Sequence, residues 1–192
     1  KKNGYYKEFD QKGQLLNVYK YLMDSLIADA PELAKLDVKT EYYEDGTKKY
    51  EGTFKDGKPE GVHHLFNPKG EIIKTKTYSE GLLTGEGIMD VAGNQQGPWE
   101  EYHTNGQIKG KGEYKDGKRI GEWSFFYPNG KSEQKWKYDK KGRAQGAWKW
   151  YYESGNLLRE ENYLDGLREG ALVEYSDAGQ LITKGDYLEG LK

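Results

Sequence analysis

Gly121-Glu122-Trp123-Ser124-Phe125-Phe126-Tyr127-Pro128-Asn129-Gly130 is the stretch that decides the fold. Six residues, Glu122 to Tyr127, form a short, ring-rich run that suits a β-strand. Pro128-Asn129-Gly130 then supplies a turn, with the glycine free to take positive φ. A second strand is expected from about Lys131 to Tyr138, which makes the segment a β-hairpin.

The same pattern recurs along the chain. Turn glycines stand at Gly13, Gly46, Gly70, Gly106, Gly130, Gly155 and Gly179, mostly 24 or 25 residues apart. A second glycine opens most units (Gly4, Gly61, Gly97, Gly121, Gly146, Gly170), and a third lies near the end (Gly57, Gly81, Gly117, Gly142, Gly166, Gly190). Counted from the opening glycine, the third position holds Tyr6, His63, Trp99, Trp123, Trp148 and Leu172. The sixth holds Phe9, Tyr42, Phe66, Tyr102, Phe126, Tyr151 and Tyr175; the eighteenth holds Tyr21, Phe54, Tyr78, Tyr114, Tyr138, Tyr163 and Tyr187. Such self-similarity marks a repeat architecture. Seven units follow: 4–21 (truncated), 37–60, 61–84, 97–120, 121–145, 146–169 and 170–192.

A lone hairpin is marginal in water, so the units must stack. Neighbouring units then bring equivalent rings together, each cross-strand pair contributing roughly 0.2–1 kcal/mol. The expected fold is all-β: an elongated, single-layer antiparallel meander of about seven hairpins of 24 residues, one array over 1–192. At ~4.8 Å per strand, fourteen or fifteen strands would reach roughly 65–70 Å. Asp56-Gly57, Asp116-Gly117 and Asp165-Gly166 are turn signals that close units. Rings at the third and sixth positions differ in parity, so either both faces carry rings or a bulge intervenes.

Two segments interrupt the array. Residues 22–36 lack glycine and space Leu, Ile and Ala helically around Pro31-Glu32, which predicts a short helical insertion. Residues 85–96 form a half-unit, with Ala92-Gly93-Asn94 as its turn, that would flip register or leave an irregular loop.

Gly97-Pro98-Trp99…Tyr102-His103-Thr104-Asn105-Gly106…Tyr114-Lys115-Asp116-Gly117-Lys118 and the opening stretch together resemble the MORN-variant repeat of YwqK-like putative antitoxins. The resemblance implies a hairpin meander in a bacterial protein that binds other proteins, as a scaffold subunit or a toxin-neutralising, immunity-like protein. It brings no catalytic residues.

Composition agrees with a thin aromatic core. Leu, Ile, Val and Phe total only 34 of 192 residues, but 17 Tyr, 5 Trp and 5 Phe supply rings to bury, and the net charge of −2 is too small to hold the chain open. No run approaches the roughly 18 apolar residues of a membrane helix. The absence of cysteine removes disulfide and thiolate chemistry. The chain starts at Lys1 rather than Met, which tilts the expectation toward an exported, trimmed product.

Chemistry-bearing patterns are sparse. His63 and His64 are adjacent on a strand and point to opposite faces, so they cannot chelate one ion; His63 fills a ring slot, and His103 precedes a turn, where a surface position is expected. Asp56, Asp116 and Asp165 recur beside turn glycines, and Asp10 and Asp177 lie near other turns, which suits turn chemistry better than a glycosidase pair. Gly85-Glu86-Gly87 and Gly110-Lys111-Gly112 are not dinucleotide fingerprints, because no helix follows. No catalytic residue, metal or cofactor is expected, and the chain is read as non-enzymatic.

Charge is uneven. Residues 105–143 carry 11 Lys/Arg against 5 acids, while both flanks are acidic. The candidate partner-contact residues are Lys109, Lys111, Lys115, Lys118, Arg119, Trp123, Tyr127, Lys131, Lys135 and Trp136, read as one positive, aromatic face. The leading expectation is a module that binds another protein. The alternative is a peripheral membrane or polyanion-binding module using 105–143; the near-neutral total disfavours nucleic acid. The plain alternative for the lysines is protection of exposed sheet from aggregation. A glycan-binding ring surface ranks last.

Overall fold

The computed structural model describes residues 4–9, 15–26 and 36–191. Three short strands, β1 (Gly4–Phe9), β2 (Leu15–Leu22) and β3 (Ser25–Leu26), form one sheet. The second sheet begins with β4 (Leu36–Tyr42), β5 (Lys48–Lys55), β6 (Lys58–Phe66), β7 (Ile72–Ser79) and β8 (Leu82–Met89). It continues with β9 (Gln95–Tyr102), β10 (Ile108–Lys115), β11 (Lys118–Phe126) and β12 (Ser132–Tyr138). It ends with β13 (Gly146–Tyr151), β14 (Leu157–Leu164), β15 (Leu167–Tyr175) and β16 (Leu181–Tyr187). Each strand pairs antiparallel with the next, in an open thirteen-strand meander about 58 Å across at ~4.8 Å per strand.

The helical insertion is corrected over the part that is described. Leu22 ends β2, Met23 and Asp24 form a turn at positive φ, and Ser25–Leu26 pair back onto β2. Local strand pairing there outweighs the helical spacing of the apolar residues. Residues 27–35, Asp10 and Gly13 lie outside the described residues.

Two kinds of turn alternate. Short turns place two residues at positive φ, as in Asp116 (50°) and Gly117 (71°), which matches the right-handed twist of the flanking strands. Long turns repeat one five-residue geometry: Tyr127 N donates to Lys131 O and Gly130 N to Tyr127 O, with counterparts such as 43–47 and 152–156.

The half-unit changes the sides. His63, Lys76, Glu86 and Glu100 stand directly opposite one another from β6 to β9, so they share a face. Trp99 precedes Glu100 and therefore lies on the other face. One extra strand reverses the direction of every later hairpin while chain order across the sheet is kept. The ring ladder thus moves from the face of His63, here called the back, to the front. Both faces carry rings, which settles the parity question: on the front Tyr114 and Trp123 lie 4.9 Å apart and Trp136 and Trp148 stack at 4.8 Å, while on the back lie Phe126 and Tyr151.

A single layer buries these rings by laying them on glycines. Trp123 is fully buried, seated over Gly112 and flanked by Tyr114, Phe125 and Trp136. A Cβ at Gly112 would stand 2.4 Å from the indole. Gly87 beneath Trp99 and Gly52 beneath His63 serve the same purpose. Ring nitrogens give three of the third-position residues a further tie. The Nε1 of Trp123 donates to Glu113 O, that of Trp148 to Lys137 O, and His63 Nε2 to Thr53 O.

Candidate functional site

The ten candidate contact residues do not form one face. Trp123 is buried on the front, and Trp136 lies beside it. Arg119 also belongs to the front: its guanidinium sits 4.5 Å over the Trp123 ring and 3.0 Å from Glu101 Oε1. Burial works against its charge, but Tyr114 and Glu101 outweigh that, and the arginine pKa is raised. Arg119 is therefore a lid on the ring ladder. Lys115 and Lys118 flank the Asp116-Gly117 turn, and Lys109 sits at a bulge in β10. Tyr127 and Lys131 lie on the edge of the long turns: Tyr127 donates to Tyr151 O at 2.6 Å and Lys131 Nζ to Ser154 O at 3.2 Å. Of the ten, Lys111 and Lys135 stand in the open on the back. The single positive, aromatic face expected from the sequence is thus corrected, because strand alternation sends Trp123 and Trp136 one way and Lys111 and Lys135 the other.

The back face is one transverse row. From β9 to β14 the directly opposed residues are Glu100, Lys111, Ser124, Lys135, Lys149 and Glu160. Two shallow depressions open along it and share Glu122 and Ser124. One, of about 730 Å³, lies over β7–β11 and includes Lys74, Glu86, Ile88, Pro98 and Glu113; the other, of about 350 Å³, lies over β11–β13 and includes Lys135, Lys137 and Ala147. Lys74 and Lys76 are paired with Glu86, and Lys149 with Glu160. Lys111, Lys135 and Lys137 have no carboxylate partner among the described residues. Two of these amines lie over back-face rings, Lys111 at 5.7 Å from the Phe126 centroid and Lys135 at 5.9 Å from that of Tyr151.

The histidines have structural partners. His63 is buried among Tyr50, Phe54 and Tyr78 and bonds to Tyr50 and Thr53. His64, on the opposite face, bonds to the fully buried Thr75 hydroxyl, which also accepts from Met89 N; burial lowers the His64 pKa. His103 is half-buried rather than a bare surface residue: its Nε2 donates to Phe126 O at 2.7 Å. It belongs to a series of latches that the sequence reading missed. Tyr43 donates to Phe66 O, Tyr127 to Tyr151 O and Tyr152 to Tyr175 O, each joining one unit to the next across 23 or 24 residues. The signal was the donor-bearing ring at the seventh position of those units. At Asn67, the seventh residue of its unit, and at Asp90 and Asp139, which open the same kind of five-residue turn elsewhere, the side chain instead accepts backbone N–H groups of its own turn. These bonds hold Asp90 and Asp139 below the usual carboxylate range. Among the described residues, no group of three or more His, Cys, Asp or Glu is placed to hold a metal ion.

Four segments match the MORN repeat variant. They are residues 38–56, 95–116, 119–140 and 144–165, and each falls on one of the hairpin units. MORN repeats are in general protein- or membrane-binding modules. No curated protein matches the chain. Among solved structures, a chain of the GtfA/B complex bound to UDP and GlcNAc is 12% identical, with a TM-score of 0.22, over 66% of this chain and 22% of that one. A chain of the TcdB2-TccC3-Cdc42 structure is 12% identical, with a TM-score of 0.23, over 89% of this chain and 13% of that one. The chain therefore spans less than a quarter of either.

Proposed function

We propose that this chain is a non-catalytic module that binds another protein across the back of its long sheet. The observation that supports it most is the division of labour between faces. On the front, Trp123 and Arg119 spend their chemistry on each other and on their neighbours. On the back, an open trough crosses β8–β13 with charged side chains free at its rim. Six strands at ~4.8 Å and eight residues at ~3.4 Å give a patch of about 24 by 27 Å. That is about 650 Å², close to the ~800 Å² per partner of a standard interface. Scaffold subunit and toxin-neutralising protein are two forms of the same binding role.

A photo-crosslinking residue placed singly at Ser124, Lys135 or Lys149 on the back, and at Tyr138 or Tyr163 on the front, tests the assignment in native extract. Protein adducts confined to the back positions are expected. Adducts only from the front, or adducts to lipid or nucleic acid alone, would overturn it. The second reading, binding to an anionic membrane or polyanion through 105–143, is favoured by the unpaired Lys111, Lys135 and Lys137. It requires affinity to collapse with added salt, whereas a protein interface is expected to persist at about 150 mM salt, where charges more than about 8 Å apart are screened.

A further inference from the structure

Resting on the back-face reading, we infer that the protein seated there is a second copy of this chain, packed back to back about a twofold axis over the boundary between β10 and β11. Glu113 and Glu122 line the trough together with Lys111 and Lys137, so the surface is close to neutral and favours neither an acidic nor a basic partner as a whole. What distinguishes it is the order of its charges. Outward from that boundary the row reads Lys111, Glu100, Glu86 and Lys76 on one side, and Ser124, Lys135, Lys149 and Glu160 on the other.

A twofold axis parallel to the strands sets each residue of one side over its counterpart on the other, and does so twice, as an isologous interface requires. Lys111 then faces Ser124 of the second copy, Glu100 faces Lys135, Glu86 faces Lys149, and Lys76 faces Glu160. No like charges meet along the row. The ion pair Lys76–Glu86 of one copy lies across Lys149–Glu160 of the other with its polarity reversed. Packed sheets lie ~10 Å apart, a gap that an extended lysine and a glutamate span together. Strand directions in such packing stay within about 30°, so rows remain matched near the axis. The register is sharply defined: an axis over β11 would put Lys111 on Lys135, and one over β10 would put Lys111 on itself.

The adjoining row adds apolar contact and one repulsion. Ile88, an exposed aliphatic side chain, faces Ala147, whose short side chain leaves it room, and Pro98 faces the stem of Lys137. Glu113 faces Glu122, with Lys111 and Lys137 beside them, and this like-charge contact is the weak point of the interface. The trough offers about 650 Å² on each copy, so the pair buries about 1,300 Å², within the range of about 1,200–2,000 Å² for a standard interface.

Sedimentation velocity of the full chain over a concentration series, at about 150 mM salt, tests the pairing. A reversible dimer is expected. E100K and K135E each break the same contact, which occurs twice per dimer, and each should weaken dimerisation about tenfold or more. Mixed in equal amounts, the two variants restore both contacts as opposite charges and should form a heterodimer of parental affinity. E113Q/E122Q removes the repulsion at the axis and should tighten the dimer, while K69E, in an exposed turn, should leave it unchanged. A chain that stays monomeric up to about 1 mM would overturn the inference, as would failure of the mixture to recover or weaker dimerisation of E113Q/E122Q. Back-face crosslinks to a different protein, with the chain itself monomeric, would defeat the second copy alone. Crosslinks confined to the front would defeat the underlying proposal.

Discussion

Gly112→Ala probes the proposition on which the whole array rests, that rings lie flat on bare backbone. In β10 the added methyl would stand 2.4 Å from two Trp123 ring atoms and 2.6 Å from a third. Ordinary contact needs about 1 Å more, and packing has little slack for it. The indole cannot easily yield, because it is fully buried and its Nε1 is tied to Glu113 O at 3.1 Å. Overpacking of this kind costs about 1–3 kcal/mol, while alanine in a strand gains roughly 0.5–1 kcal/mol over glycine. A net loss of about 1–2 kcal/mol is expected, a drop in Tm of roughly 2–8 °C for a chain of this size. Melting followed by near-ultraviolet circular dichroism measures it directly. Trp123→Ala alone should cost about 3–5 kcal/mol, and in that background Gly112→Ala should turn stabilising. A penalty that persists without the indole, or a neutral single variant, would refute the seating of rings on glycine.

Two further outcomes follow from the same geometry. Tyr127→Phe removes the donor to Tyr151 O and leaves that carbonyl without its latch, so a loss of about 0.5–1.5 kcal/mol in urea unfolding is expected; no loss would mean that water replaces the bond at no cost. For His64 the sign runs through burial, which lowers its folded pKa below the unfolded value near 6.5. The unfolded chain then binds more protons in the window below that value, so stability falls as pH drops through it. His64→Asn, which can still bond Thr75, should flatten the pH dependence of Tm over this window, and an unchanged slope would assign the effect elsewhere.

Much of the architecture is legible because glycines and rings carry geometric demands. A glycine at a turn or a tyrosine at the eighteenth position recurs only if each unit meets the same neighbour. The half-unit at 85–96 was visible as a break in that spacing, and the structure shows it as an added strand that exchanges the faces. The fragments Gly85-Glu86-Gly87 and Gly110-Lys111-Gly112 fall within β8 and β10. Their purpose, making room for Trp99 and Trp123, could not be read without knowing which strands adjoin. His103 was misjudged because its bond reaches 23 residues forward, outside any local pattern.

The candidate contact region shows the same division. Charge counting locates the basic block, since charge is a property of composition. It could not distribute Lys111, Lys135, Trp123 and Arg119 between two faces, because bulges in the ladders and one odd strand set that parity. Repeat length, turn chemistry and the identity of the stacking rings were therefore determined by the sequence itself, through local sterics and periodicity. Which side the rings cover, and which lysines remain free to meet a partner, was decided only by the assembled sheet, where a one-strand change reverses the orientation of everything that follows.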